Sequence, residues 1–315
     1  MIDIVMAIPT FRRPEGIAAA VKASLPQVQA LEADTGGRAR ARLIVVDNDP
    51  EGSARELIAA LGVNYVHEPK PGIAAVRNRA IAEAHDATAV VFIDDDEVPE
   101  PGWLRELTEQ YLRTGADAVA GKVLTAFPDD TPAWVRASGA FIRPVRTDGQ
   151  KMEEAASNNL LLDLEALRTR DIAFDERFGL TGGSDSMITR LLTRRGGTIR
   201  WAERAVVVER EDPQRFSRSW VLTRTFRFGN TSARVRIALA GDSLLGRTRA
   251  RLSALGSGLA RVVGGSARVV VGALTRSLRL RATGERTVAR GAGLIAAAVG
   301  YAHDEYGRRR KTGAI

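Results

Sequence analysis

The sequence predicts an α/β protein: a Rossmann-like, mostly parallel sheet with a mixed extension, followed by a C-terminal helical region. Three observations carry this. Apolar runs of strand length alternate with helix-length stretches over about the first hundred residues. Polar residues gather directly after those runs. Composition and charge then change beyond about residue 240.

Taken in order, Ile4 to Ile8, Leu43 to Val46, Val63 to Val66 and Ala89 to Ile93 are expected strands. Glu15 to Leu31, Ala54 to Leu61 and Ile73 to Ala84 are the helices between them. Strand, helix and strand in repetition require crossovers, which favour parallel pairing with helices on both faces. From about Gly115 the pattern loosens. Asp117 to Thr125 reads as a strand, Asn159 to Leu162 as a short one, Asp185 to Arg195 as a helix, Thr198 to Glu209 as one or two strands, and Trp220 to Phe228 as a helix. The expected division is an α/β domain over residues 1–235 and a basic, amphipathic helical region over 236–315.

A chain of 315 residues, 44% hydrophobic and 27% charged, is long enough to bury a core and is neither disordered nor low-complexity. It has no cysteine, which excludes disulfides, thiolate metal sites and cysteine nucleophiles and suits a reducing cytoplasm. The start, MIDIVMAIPTFRRP, has no basic leader before an apolar run, so no signal peptide is expected. The net charge of +8 is unevenly placed: residues 241–315 hold 14 Lys and Arg against 4 Asp and Glu, and the other 240 hold 32 against 34. An acidic body carries a basic tail. The longest run there without a formal charge, Gly291 to His303, is shorter than the ~20 residues of a spanning helix, so none is expected. A basic amphipathic helix at a membrane surface and a solvated helical pair covering the sheet both fit that composition.

In sheets of this kind ligands bind beyond the carboxyl ends of the strands. Those ends carry Pro9-Thr10-Phe11-Arg12-Arg13, Asp47-Asn48-Asp49 and Asp94-Asp95-Asp96-Glu97. Three adjacent carboxylates after a buried strand repel one another unless a cation compensates them. Hard oxygen donors favour Mg²⁺ or Mn²⁺, which commonly bind few carboxylates together with phosphate oxygens, and this points to a diphosphate-bearing substrate. The alternative is a solvated acidic turn before Pro99. Asp47 fits either a hydrogen bond to a base or ribose, or ordinary turn chemistry. Arg77 opens a helix where a guanidinium could meet an anionic nucleotide, or is a surface arginine. Asp185, after Gly182-Gly183-Ser184, fits a general base, although a helix cap is the simpler reading in isolation. His67, His85 and His303 match no zinc spacing or triad, and no P-loop or dinucleotide fingerprint is present.

In this order and spacing, Ile8-Pro9-Thr10-Phe11-Arg12-Arg13-Pro14, Val46-Asp47-Asn48-Asp49, Arg77-Asn78-Arg79-Ala80, Phe92-Ile93-Asp94-Asp95-Asp96, Asn158-Asn159 and Gly182-Gly183-Ser184-Asp185 resemble the family 2 glycosyltransferases over residues 2 to about 230. Within that family the chain is most similar to bacterial exopolysaccharide glucosyltransferases of the succinoglycan type. The resemblance implies a GT-A fold, an inverting transfer, a nucleotide-sugar donor with UDP-glucose expected, and a polyprenyl-diphosphate oligosaccharide acceptor. It places Pro9, Thr10 and Arg13 on the donor side, Pro9 and Thr10 lining the nucleoside pocket, Asp47 on the base, and Arg77 at the uracil and diphosphate end. Asp94 and Asp95 are expected on ribose and sugar, Asp96 and Glu209 at the metal, and Asp185 as catalytic base. Ser184 departs from the Glu-Asp pair of many relatives.

That acceptor implies an enzyme on the inner face of the plasma membrane, with the basic tail at the lipid surface. Two other classes compete. A haloacid-dehalogenase-like phosphatase also opens on strand-Asp-x-Asp but leaves Asp47 and Asp185 without a role. A nucleic-acid-binding protein fits the pI but lacks stacking aromatics in the tail, where only Tyr301 and Tyr306 occur, so no nucleic-acid partner is expected.

Overall fold

The computed structural model describes residues 1–303 apart from Val145 and Glu211; the end of the basic tail, 304–315, lies outside the described residues. The chain forms two compact units.

The first unit comprises residues 1–127, 142–176 and 184–211. Its elements begin with β1 (Ile2–Thr10), α1 (Pro14–Asp34), β2 (Ala39–Asp47), α2 (Arg55–Ala60), β3 (Asn64–His67), α3 (Ile73–Glu83) and β4 (Ala89–Ile93). β1, β2 and α1 run a few residues past the expected bounds, β4 matches them, β3 is shifted by one residue, and α2 and α3 are one or two residues shorter. β5 (Glu97–Pro99), α4 (Trp103–Thr114) and β6 (Ala118–Thr125) come next. After α5 (Ala133–Ser138), which belongs to the second unit, come β7 (Lys151–Met152), β8 (Asn159–Asp163), α6 (Leu164–Thr169), α7 (Ser184–Arg194) and β9 (Ile199–Glu209).

Among the described residues nine strands form one sheet in the order β3-β2-β1-β4-β8-β6-β9-β5, with β7 on β9. β3, β2, β1 and β4 are mutually parallel. β8 runs antiparallel to both β4 and β6, which makes the extension mixed. Strand alternation sorts the core into two layers: Ile4, Met6 and Ile8 pack with Ile17, Val91 and Trp103 on one face, and Val5 and Ala7 with Val76, Phe92 and Leu160 on the other.

Pro9 stands in β1 without an N–H to donate. The β1–β4 ladder covers only Ile4 to Ala7, so the missing donor falls past its end. β9 is one strand with a bulge, since Gly121 pairs with Ala202 and Lys122 with Val206. Asn159 fills the irregularity, donating to the Lys122 and Ala205 carbonyls at 3.0 and 2.9 Å while accepting from Trp103 Nε1 at 2.8 Å. A Cβ at Gly121 would lie 2.4 Å from the Asn159 amide, so this seam admits only glycine.

The second unit comprises residues 128–141, 177–183 and 212–315. It holds α5 and three long helices, α8 (Arg218–Ala238), α9 (Leu244–Leu274) and α10 (Leu278–Ala298). Ser217, Ser243 and Ser277 cap these helices through their hydroxyls. α8 is far longer than the Trp220 to Phe228 stretch expected, because its arginines line an otherwise helical pattern. Glycines let the backbones touch: a Cβ on Gly229 of α8 would lie 2.1 Å from the Arg290 carbonyl of α10, and one on Gly265 of α9 would lie 2.8 Å from that of Gly284. By length and composition α9 could cross a membrane. Arg261 and Arg268 interrupt its apolar run, which is why the sequence predicts no spanning helix there.

Candidate active site

Every candidate site residue lies in the first unit, and most stand at the carboxyl ends of β1, β2 and β4. The turn after β4 is the centre. Thr10 Oγ1 donates to Asp95 Oδ2 at 2.9 Å, and Arg13 Nη1 bridges Asp95 Oδ1 at 2.9 Å and Asp96 Oδ2 at 2.7 Å. Burial works against the Arg13 charge, but Asp95 and Asp96 outweigh it and hold the guanidinium protonated more firmly than usual. The first turn of α1 comes close enough for this because residue 16 is glycine: a Cβ there would lie 2.5 Å from the Asp95 carbonyl. Arg12, at φ 53°, turns back to pair with Asp49 through Nε at 2.9 Å and Nη2 at 3.0 Å.

Asp47, which the resemblance implies on the base, is held by its own loop. It is wholly buried, and its oxygens accept the N–H groups of Asp49 and Ala54 at 2.9 Å each and the Tyr65 hydroxyl at 3.1 Å. These bonds pin the loop after β2. Burial and the Asp47 charge push the Tyr65 phenol up to about 12. Asn48 braces the next loop, donating to the Glu68 and Lys70 carbonyls and accepting the Gly72 N–H.

Arg77 is 6% exposed and reaches from α3 to Asp94 Oδ1 at 3.3 Å, with its guanidinium 5.7 Å from the Phe174 ring centre. Its buried Nε has no acceptor among the described residues. Asp185, in the first turn of α7, accepts the Ser186 N–H at 2.8 Å. Burial raises the Asp185 carboxyl above its ordinary range; Arg77 pulls it back and Glu154 adds to the rise. One buried cation thus acts on both Asp94 and Asp185.

The acidic rim is larger than the triplet. Glu97 is 1% exposed; its carboxyl accepts the Asp94 N–H at 3.0 Å and the Asn158 amide at 2.6 Å. It stands directly opposite Glu209 in the β5–β9 pair. Glu209 in turn accepts from Arg143 at 2.9 Å and Thr125 at 3.2 Å. Burial and neighbouring carboxylates raise Asp94 to about 6, Asp95 above its normal range and Glu97 well above it. Glu97, Asn158 as its donor, Arg143 and Glu154 are the residues that sequence reasoning did not assign. Glu97 was visible as the fourth acid of the run, but its pairing with Glu209 needs the sheet register.

No three acidic or histidine side chains among the described residues converge into a preformed metal cage. Clustered oxygens with raised carboxyls nevertheless fit a hard divalent cation that takes few protein ligands and completes its shell with phosphate and water. Asp94 and Asp96, only partly buried, are the accessible members of the rim.

Residues 6–170 match the family described as Glycosyl transferase family 2. The chain belongs to that family. The glycosyltransferase is 33% identical over 242 residues to the succinoglycan biosynthesis protein ExoM of Rhizobium meliloti strain 1021, covering 74% of this chain and 75% of that one. Its structure is similar to that of S. aureus TarS 1–349, with a TM-score of 0.53 at 14% identity and 90% of each chain covered. It is also similar to GalNAc-T7 solved with UDP, GalNAc and Mn²⁺, with a TM-score of 0.54 at 10% identity, covering 80% of this chain and 54% of the other. The glycosyltransferase fold is therefore GT-A, as its motifs implied, and the phosphatase and nucleic-acid readings lose their footing.

Proposed function

We propose that this glycosyltransferase moves a sugar, with glucose expected, from a UDP-sugar to a hydroxyl of a polyprenyl-diphosphate oligosaccharide, with inversion, in exopolysaccharide synthesis on the cytoplasmic face of a membrane. The observation that carries the reading is that buried Arg77 donates to Asp94 and also acts electrostatically on Asp185. In this reading one buried cation serves both a leaving-group site at Asp94 and a base at Asp185. The likeness to ExoM supports the exopolysaccharide setting.

In this reading Asp185 takes the proton of the acceptor hydroxyl as that oxygen attacks the anomeric carbon, and the bond to the diphosphate breaks with its electron pair leaving on UDP. A carboxyl raised by burial is a stronger base than a solvated one, which suits that task. The unpartnered Nε of Arg77 offers a donor to the departing diphosphate. Pro9, Thr10 and Arg13 flank the nucleoside side, and Asp94 and Asp95 would hold ribose and sugar hydroxyls. Asp96, with Glu209 opposite Glu97, would hold Mg²⁺ or Mn²⁺, whose charge would offset the diphosphate. In donor binding Arg13 would exchange Asp96 for phosphate oxygens.

A panel of nucleotide sugars with Mn²⁺ or Mg²⁺ tests this, read by thermal shift and donor hydrolysis. UDP-glucose is expected to give the largest shift in the wild type and a much smaller one in Asp96→Asn. A metal-dependent shift of equal size in the variant contradicts the ligand assignment.

A further inference from the structure

Helix α9 presents a surface for which glycosyl transfer has no use. Leu245, Leu252, Leu259, Val263, Val270 and Leu274 follow one another at intervals of seven or four residues. That spacing returns to one face of a helix every one or two turns. All six are exposed, from 57% at Leu259 and Val270 to 80% at Leu274, on a helix ~46 Å long by its 31 residues. The other side of the helix is closed. Its buried residues, Ala254, Gly258, Gly265 and Gly272, form a seam, and the glycines meet α10 at Ile295, Val288 and Arg281. A helix in water shows its polar face outward; α9 shows an apolar one.

The charge pattern says what this face suits. α9 carries Arg247, Arg249, Arg251, Arg261 and Arg268 and no acidic residue. On α10 the one carboxylate, Glu285, is held by Arg218 of α8 at 2.7 Å. By helical spacing Arg249 lies beside the apolar face and Arg247, Arg261 and Arg268 lie toward the seam, so the attraction to an anionic lipid surface is that of the whole basic helix pair, whose excess charge would repel a second copy. The stem of Arg249 can lie along the apolar face with its head at the phosphates. Spanning is disfavoured, because Arg261 and Arg268 sit in the body of the helix and would enter hydrocarbon.

We propose that the outward face of α9 is a docking surface for an anionic bilayer, with the helix lying in the interface plane and its Leu and Val side chains at the boundary between headgroups and acyl chains. The inference rests on the reading of a membrane-held acceptor for its purpose, yet it is testable without any acceptor.

The test is sedimentation of the full chain with vesicles of phosphatidylcholine alone or mixed with phosphatidylglycerol, alongside Leu252→Glu/Leu259→Glu. The wild type is expected to pellet with the mixed vesicles, to stay in solution with phosphatidylcholine alone, and to be released by alkaline carbonate. The double variant is expected to lose vesicle affinity by at least about 100-fold, with its melting temperature and UDP-sugar hydrolysis unchanged. Absence of pelleting by the wild type, equal pelleting by the variant, or retention through carbonate overturns the proposal. So does a wild-type dimer that the variant converts to monomer without a change in pelleting. Loss of donor hydrolysis in the wild type would instead strike the transferase reading and leave this one standing.

Discussion

The two units use arginine in opposite ways. In the first, Arg12, Arg13, Arg77 and Arg143 each meet a carboxylate of the strand-end rim: Asp49, Asp95 with Asp96, Asp94 and Glu209. Yet the acids outnumber these cations, and Asp94, Asp95 and Glu97 are all held above their ordinary range. In the second, α9 has arginines and no acid, beside an uncovered apolar stripe. The lesson is that net charge of the whole chain describes neither unit. One is organised around a deficit of positive charge, which suits a metal-bound diphosphate, and the other around an excess of it, which suits an anionic surface.

The sharpest division between the units comes from Asp185→Asn. It should lower turnover about 10²- to 10⁴-fold with little change in UDP binding and none in vesicle binding. Steady-state kinetics beside calorimetry separates these effects, and a loss of UDP affinity equal to the loss of turnover would deny Asp185 its role as base.

Asp47→Ala comes next. It strips the acceptor from two backbone N–H groups and the Tyr65 hydroxyl, at ~1–3 kcal/mol each if they stay buried. A fall of several kcal/mol in unfolding free energy is expected by denaturant titration. Weakened UDP binding with unchanged stability would instead favour the base-contact role.

In the second unit the comparable weak point is steric. Gly229→Val drives a side chain into the Arg290 carbonyl and should destabilise by ~1–3 kcal/mol or more, seen as an early thermal transition. Gly256→Ala, where a Cβ meets nothing within 4 Å, is the control and should be neutral or slightly stabilising.

The smallest effect concerns pH. Asp94 is raised from 3.8 to about 6, so the folded chain holds that proton more tightly than the unfolded one. Its contribution to stability is therefore present below about pH 4 and is lost as pH rises to about 6. Mn²⁺ affinity should run the other way, climbing up to about pH 6 and levelling above it. Asp94→Asn should flatten both curves, which denaturation and metal titration across pH would show.

Much of this was legible in the sequence because one period dominates each stretch. β4 coincides with the apolar run Ala89 to Ile93, and β1 and α3 lie within two residues of expectation. α4 was not foreseen although its pattern is amphipathic: Trp103, Leu104 and Leu107 are fully buried, while Glu106, Glu109 and Arg113 stand on the opposite, polar side. The bulge of β9 was hidden too, because skipping Glu203, Arg204 and Ala205 is decided by Asn159 across the sheet. At the site, order along the chain found Thr10, Arg13, Arg77 and the acidic triplet together. It could not tell that Asp47 spends its oxygens on its own loop, nor that Glu97 faces Glu209, because hydrogen-bond partners and strand register are properties of the folded chain.

The central claim is that the rim after β4 grips a divalent cation together with a nucleoside diphosphate. Calorimetric titration of UDP with Mn²⁺ present and absent tests it most directly, on the wild type and on Asp96→Asn. The account predicts that UDP affinity in the wild type falls at least about tenfold without Mn²⁺, and that the variant shows the same weak binding with or without it. Binding that ignores Mn²⁺ in the wild type, or a variant that keeps the full metal effect, contradicts it.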